Sequence, residues 1–200
     1  MDNLRKTSRT AGGVVDTSAS AGKAGQMAEG LTGDAAADHA NKNFERVMAD
    51  MYRRKNEQMT PAKAEALADM AAIDINRGIL KEGVLMRQDD STKFPYTAVA
   101  DLPLARQQFG QELAKRLNDP NADPVETAAW IEWRANLTDH FWADGVGKVS
   151  KALAAIPLMR AGLPLPQYRD NKEFFANAAR TQYDPKKGPQ TYLDEPWKKF

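Results

Sequence analysis

The stretch HFWADGVGKVSK, residues 140–151, places a histidine, a carboxylate, two glycines and two lysines close together in the chain. An imidazole is the usual general base near neutral pH, so we predict that role for His140. The carboxylate of Asp144 is a hard oxygen ligand of the kind that holds Mg²⁺ together with phosphate oxygens. The stretch therefore predicts a site for chemistry on a phosphate group.

The second half of the stretch predicts an anion-binding loop. Gly145 and Gly147 can adopt backbone conformations closed to other residues, which would turn the amides of residues 145–147, Val146 included, toward one anion. Lys148 then begins a predicted helix, whose positive N-terminal end would face the same anion. Lys151 adds a second cation on nearly the same helix face. The alternative is an ordinary turn between two helices, with solvated lysines and a surface histidine.

These residues, in this order, resemble the signature of the Fic/Doc family, His-x-Phe-x-Asp/Glu-Gly-Asn-Gly-Arg-x-x-Arg. The resemblance implies that His140 is the catalytic base and Asp144 the metal-binding acid. It also implies that the two glycines form the anion hole. The lysines match the two arginines of the family that contact phosphate.

The motif is divergent at four positions. Trp142 replaces a phenylalanine and keeps an aromatic anchor, whereas Val146 replaces an asparagine and removes a polar side chain. Lys148 and Lys151 keep the positive charges of the arginines but lack the bidentate fork that fixes a phosphate in one orientation.

Similarity to the family extends beyond the motif, over residues from about 44 to about 180. Upstream, Trp130, Ile131, Trp133 and Leu137 resemble the apolar helix before the signature. Downstream, the segment LMRAGLP, residues 158–164, is similar to the family's Ala-Gly-Tyr/Leu-Pro ending. The residues Arg169 and Glu173-Phe174-Phe175 are similar to its Arg-x-x-Tyr-Tyr segment.

Composition excludes several kinds of site. The net charge is +1 with 28% charged residues, so no global field favours nucleic acid. The absence of cysteine excludes disulfides and thiolate chemistry, and two histidines do not favour zinc. The longest apolar run, residues 152–159, is far short of the roughly 18 residues of a membrane span. No signal-peptide hydrophobic region follows Met1. We expect a cytoplasmic protein; the resemblance to the Fic family, which includes effectors, implies secretion into a host cell as the alternative.

Apolar spacing predicts a mainly α fold, a single bundle of about six helices. Helical periodicity begins at Asn43, Thr60-Pro61 caps a second helix, and a third follows Asp101. Asp123 and Pro124 start a fourth helix that runs toward residue 139. The fifth covers residues 148–161, with a kink expected at its internal proline, and the sixth covers residues 171–180.

Three segments are not predicted to be helical. Residues 1–40 are rich in Ala, Gly, Ser and Thr and predict a flexible segment before a Fic-like domain at 41–182, and residues 183–200 form a polar tail. Residues 84–97 predict a short hairpin or an irregular loop. In the family resembled, a flap lies at this point of the chain, implied to dock the target segment.

The resemblance implies a nucleotidyltransferase that moves AMP from ATP, with Mg²⁺, onto a hydroxyl side chain of a target protein. Two alternatives stay open: a catalytically silent binding module, and a relative that transfers UMP, phosphate or phosphocholine. A nucleotide and a target protein are the expected partners, without nucleic acid or membrane.

Overall fold

The protein is mainly α-helical, as the sequence predicts. The structure, a computed structural model, describes residues 33–92 and 94–167, and this part of the chain contains five α-helices: α1 (Gly33–Arg54), α2 (Pro61–Ile75), α3 (Leu102–Asn118), α4 (Pro124–Glu132) and α5 (Val146–Arg160). The predicted sixth helix and the C-terminal tail lie outside the described residues, as do residues 1–32 of the N-terminal segment.

The capping residues chosen from sequence begin two of these helices. The Thr60 hydroxyl accepts a hydrogen bond from the Lys63 amide at 3.2 Å, at the start of α2. The Asp123 carboxylate accepts from the amides of Val125 and Glu126 at 2.8 and 2.9 Å, at the start of α4. Each bond satisfies an amide that has no partner within its helix.

Helix α1 starts earlier than its apolar periodicity indicates. It begins at Gly33, not near Asn43, so residues 33–40 of the predicted flexible segment are helical. This first part is rich in alanine, the strongest helix former, and Asp34 lies in the first turn, where a negative charge is favourable. Propensity therefore extends the helix beyond the turns that carry large apolar side chains.

Helix α5 is the central element of the bundle. It packs against α1, α2 and α4, while α2 also packs against α3. Residues 152–158 of α5 are all buried, and the helix continues through Pro157 to Arg160. The described part of the chain has no helix that combines the length and apolar character required to cross a bilayer. Because α5 is fixed on three sides, its N-terminal end is a rigid support for residues 140–151.

The described residues of the segment 84–97, which exclude residue 93, form no hairpin, in agreement with the loop interpretation. Instead, Met86 forms an isolated antiparallel bridge with Trp142. The amide of Arg87 donates to the Phe141 carbonyl, and the amide of Ala143 donates to the Leu85 carbonyl, both at 2.9 Å. The segment is thus paired with the residues that follow His140.

The chain approaches the motif through a π-helical turn. Helix α4 ends at Glu132, and Trp133–Thr138 continue it with wider turns, ending on a hydrogen bond from the Asp139 amide to the Arg134 carbonyl at 2.9 Å. Sequence periodicity predicts an ordinary helix up to residue 139 and misses this change. Single π turns occur often at functional sites, where they reorient the chain.

Candidate active site

The loop after Asp144 turns at a glycine that no other residue can replace without strain. Gly145 has φ +68°, in the left-handed region. A Cβ there would lie 2.9 Å from Cγ2 of Ile75 and 3.2 Å from Oδ1 of Asn76, so α2 approaches the backbone closely. The Asn76 amide group also donates to the Asp144 carbonyl at 3.0 Å. The end of α2 therefore holds the turn in place.

The second glycine does not have the expected special conformation. Helix α5 begins at Val146, two residues earlier than predicted, so Gly147 is a helical residue without a positive φ. The nearest atom to a Cβ added at Gly147 is Nδ2 of Asn136, at 4.0 Å. The prediction that both glycines need unusual backbone angles is thus correct for Gly145 and wrong for Gly147.

The N-terminal end of α5 has the features of an anion site. The amides of Lys148 and Val149 both donate to the Gly145 carbonyl, at 2.8 and 3.0 Å. The amides of Val146 and Gly147 lie in the first turn, which has no intrahelical acceptors, and Gly145 has no side chain to cap them. The Val146 side chain is buried in the core, so this residue presents only its backbone.

The two lysines and Asp144 interact with one another at this helix end. Burial lowers the pKa of Lys148, the nearby charge of Lys151 lowers it further, and the carboxylate of Asp144 raises it. An anion beside the Lys148 ammonium would raise its pKa and so oppose both effects, because an opposite charge favours the protonated form.

His140 has an unusual backbone and a defined tautomer. Its φ is +49°, which for a residue other than glycine costs about 1–3 kcal/mol and persists only where the surroundings impose it. Its Nδ1 lies 3.0 Å from the Asn136 carbonyl oxygen. A carbonyl only accepts hydrogen bonds, so Nδ1 carries the proton in the neutral ring, and Nε2 has the lone pair that a base requires.

An aromatic ring covers the imidazole. Tyr96 stacks on His140 with ring centroids 4.2 Å apart and an angle of 7° between the planes. Tyr96 belongs to the irregular segment after α2, and the Thr97 amide beside it donates to the Thr138 carbonyl at 3.0 Å. The flap region predicted from the sequence therefore contacts the predicted base.

Phe141 and Trp142 anchor the loop between His140 and Asp144. Both are fully buried, and their rings contact each other at 5.5 Å. Phe141 also packs against Phe109 of α3 at 5.3 Å. Trp142 thus anchors the loop as predicted. The three residues 141–143 connect His140 to the cluster of Asp144 and the two lysines.

One oxygen of the Asp144 carboxylate is hydrogen-bonded within the loop. Its Oδ1 accepts a hydrogen bond from the Gly145 amide at 2.8 Å. Within the described residues no group of three or more His, Asp or Glu side chains could enclose a metal ion. A protein cage for a cation is therefore not formed there, whereas a Mg²⁺ ion needs only one or two carboxylates when substrate phosphates supply other ligands.

Glu132 is a buried acid that sequence reasoning missed. It is 3% exposed, and its Oε2 has no hydrogen-bond partner among the described residues. Burial raises its pKa to about 7, and the charge of Lys151 lowers it. A charged residue between Ile131 and Trp133 in a buried helix was the signal that could have identified it.

The arrangement of helices is shared with a solved structure. It is a Fic-domain-containing signalling protein from Bacteroides thetaiotaomicron; the match has a TM-score of 0.61 and covers 98% of this chain and 79% of that chain. This chain has a Fic-like fold. The two sequences are 15% identical, so the Fic-like fold is what the comparison establishes. No protein-family model and no curated protein matches the sequence.

Proposed function

We propose that the protein is a Fic-like transferase that moves AMP from ATP onto a hydroxyl side chain of a target protein. The observation that carries the proposal is the N-terminal end of α5, where Gly145 turns the chain and Asp144, Lys148 and Lys151 interact. Helix-end amides and two cations favour a polyphosphate ligand. The Fic-like fold and the order of motif residues support the same assignment.

In the proposed reaction the hydroxyl oxygen of the target attacks the α-phosphorus of ATP. The new O–P bond forms as the bond from the α-phosphorus to the bridging oxygen breaks, and pyrophosphate leaves. His140 accepts the hydroxyl proton at Nε2, while its Nδ1–H donates to the Asn136 carbonyl and fixes the ring. The amides of Val146 and Gly147 and the two lysines stabilise the negative charge that develops on the phosphate oxygens.

Mg²⁺ fits this proposal with Asp144 as its protein ligand. When bound, the ion would neutralise part of the polyphosphate charge. Asp144 offers one carboxylate at the edge of the helix-end site, which suits a cation that shares its other ligands with phosphates and water.

A catalytically silent Fic-like binding module is the second candidate. The observation that favours it is Lys148, because burial lowers the pKa of an ammonium that replaces an arginine of the resembled motif. A Fic relative that transfers UMP, phosphate or phosphocholine is the other alternative within the enzyme class.

A thermal-shift screen tests the proposal. ATP with Mg²⁺ at one hundred times its Kd should stabilise the protein by about 2.7 kcal/mol, which raises the Tm by about 5–10 °C in a protein of this size. Substituting Asp144→Ala should abolish the Mg²⁺-dependent part of the rise. Asp101→Ala removes an exposed carboxylate before α3 and is the matched control, expected to behave as the wild type.

The outcomes of the screen separate the candidates. Stabilisation by ATP, followed by an added AMP in the intact mass of the self-modified protein, supports the transferase. A rise in Tm with UTP or CDP-choline, and none with ATP, would mean that this compound is the donor in place of ATP. A shift with ATP but no transfer to itself or to a protein extract would refute AMP transfer. No shift with ATP, UTP, GTP or CDP-choline would refute the proposal and favour the binding module.

A further inference from the structure

The side chain of Arg87 forms hydrogen bonds with the backbone at His140. Its Nε donates to the His140 carbonyl at 3.1 Å, and Nη2 donates to the carbonyls of Asp139, at 3.5 Å, and Thr97. Its Nη1 donates to the Asp89 carbonyl at 2.8 Å. The side chain is only 11% exposed. One guanidinium thus joins the irregular segment after α2 to the chain at the predicted base.

The main chain of Arg87 is fixed to the same place. Its amide donates to the Phe141 carbonyl at 2.9 Å. With the two side-chain bonds, Arg87 thus holds the carbonyls of Asp139, His140 and Phe141, which lie on both sides of the His140 α-carbon. Several donors in a planar fork are needed for this arrangement, which an arginine has and a lysine lacks. The contact is therefore specific to the guanidinium.

His140 needs such support. Its φ of +49° is unfavourable for a side chain with a Cβ, and such a conformation persists only where neighbouring groups impose it. Arg87 donates hydrogen bonds to the carbonyls of His140 and of Asp139, the residue before it. These contacts restrict the peptide planes on which the φ angle depends.

The segment that carries Arg87 also carries the ring that covers the imidazole. Tyr96 stacks on His140, and the adjacent Thr97 carbonyl accepts from the Arg87 guanidinium. The Thr97 hydroxyl donates to the Asp139 carboxylate at 2.7 Å, so this segment meets the chain before His140 at a second point. Releasing the guanidinium would therefore loosen both the backbone of the base and the Tyr96 ring.

We propose that Arg87 is a positioning residue for His140, holding its backbone in the left-handed conformation and its imidazole against Tyr96. The inference deepens the proposed function, because a general base acts only when it is held in one geometry. It concerns the placement of the imidazole, so it can be tested without any knowledge of the substrate.

The imidazole signals in the NMR spectrum provide the direct test. The chain has two histidines, and His39 is exposed on α1, which makes it an internal reference. A parallel ring at 4.2 Å should shift the His140 ring protons upfield of those of His39. His39→Gln assigns the two signals, and Tyr96→Leu should remove the shift.

Replacing Arg87→Met keeps the length and removes every donor. We expect the His140 signal to move toward the position of the His39 signal, and Arg87→Lys to give an intermediate position. Arg53→Met removes an exposed guanidinium that pairs with Asp50 at 3.1 Å, and it should change neither signal. An unmoved His140 signal in folded Arg87→Met, or the same movement in the Arg53 control, would overturn the proposal.

Loss of folding in both Arg87 variants would also overturn it, because Arg87 would then be a residue of the fold in general. In transfer assays Arg87→Met should lower kcat about 100-fold without changing nucleotide affinity, as expected for a misplaced catalytic group. A wild type without transfer activity would refute the proposed function alone, since the NMR result decides the role of Arg87 independently.

Discussion

Replacing Glu132→Gln should make the protein more stable, and by an amount that depends on pH. Glu132 is 3% exposed at the end of α4, and its Oε2 has no hydrogen-bond partner among the described residues. Burial raises the pKa of this carboxyl from 4.5 to about 7, although the charge of Lys151 lowers it. Glutamine keeps the size and shape of the side chain and removes the charge, so the substitution tests the electrostatic cost alone.

The sign and size of this change in stability follow from the linkage between protonation and folding. A carboxyl whose pKa is higher in the folded protein favours the fold fully below pH 4.5, and this contribution is lost as the pH rises through about 7. The difference between 4.5 and about 7 corresponds to about 3 kcal/mol at high pH. Glutamine does not titrate, so Glu132→Gln should be about 3 kcal/mol more stable than the wild type near pH 8.5. The gain should shrink to about 1 kcal/mol near pH 5.

Urea unfolding at the two pH values measures this difference directly. Glu82→Gln removes an exposed carboxylate and is the matched control, which should leave the free energy of unfolding nearly unchanged at both pH values. A gain that is equal at both pH values would mean that the carboxyl does not titrate differently in the fold. A loss of stability near pH 8.5 would mean that the attraction to Lys151 exceeds the cost of burial, and would refute the reasoning.

Two further predictions concern the nucleotide site and can be checked with the same protein preparations. Lys148→Ala should weaken nucleotide binding by about 1–3 kcal/mol in calorimetry, whereas Lys148→Arg should keep or improve it; equal affinity in all three proteins would remove Lys148 from the site. His140→Ala should leave nucleotide affinity unchanged and lower the rate of transfer, followed by intact mass, about 100-fold or more, and an equally active variant would exclude His140 as the base.

Local sequence signals predicted the helices well. Thr60 and Asp123 cap helices in the structure because capping depends on residues only two or three positions apart. The order of His140, Asp144 and the glycine-lysine segment led to the resemblance, and the Fic-like fold that it implies is confirmed, whereas the roles of these residues stay predictions. These are features in which neighbouring residues determine the outcome.

The contacts that support His140 were not predictable in the same way. Arg87 reaches the carbonyls of Asp139 and His140 across more than fifty positions, and backbone carbonyls exist at every residue, so no side-chain pattern marks the partners. Stacking of Tyr96 on His140 likewise depends on how an irregular segment is placed. The special backbone conformation predicted for Gly147 is not found, because the helix begins before it.

The departures from ordinary folding rules in this chain occur close to one another, and their position bears on the choice between a functional site and a plain turn. His140 has a left-handed backbone, Glu132 is buried with an unpartnered oxygen, and Lys148 is partly buried with a lowered pKa. Each of these features costs stability, and a helix-loop-helix turn requires none of them. Proteins retain such costs mainly where binding or catalysis depends on them. Two of these features lie within residues 140–151, and Glu132 interacts electrostatically with Lys151 of that stretch, which favours a functional site over a turn that only reverses the chain.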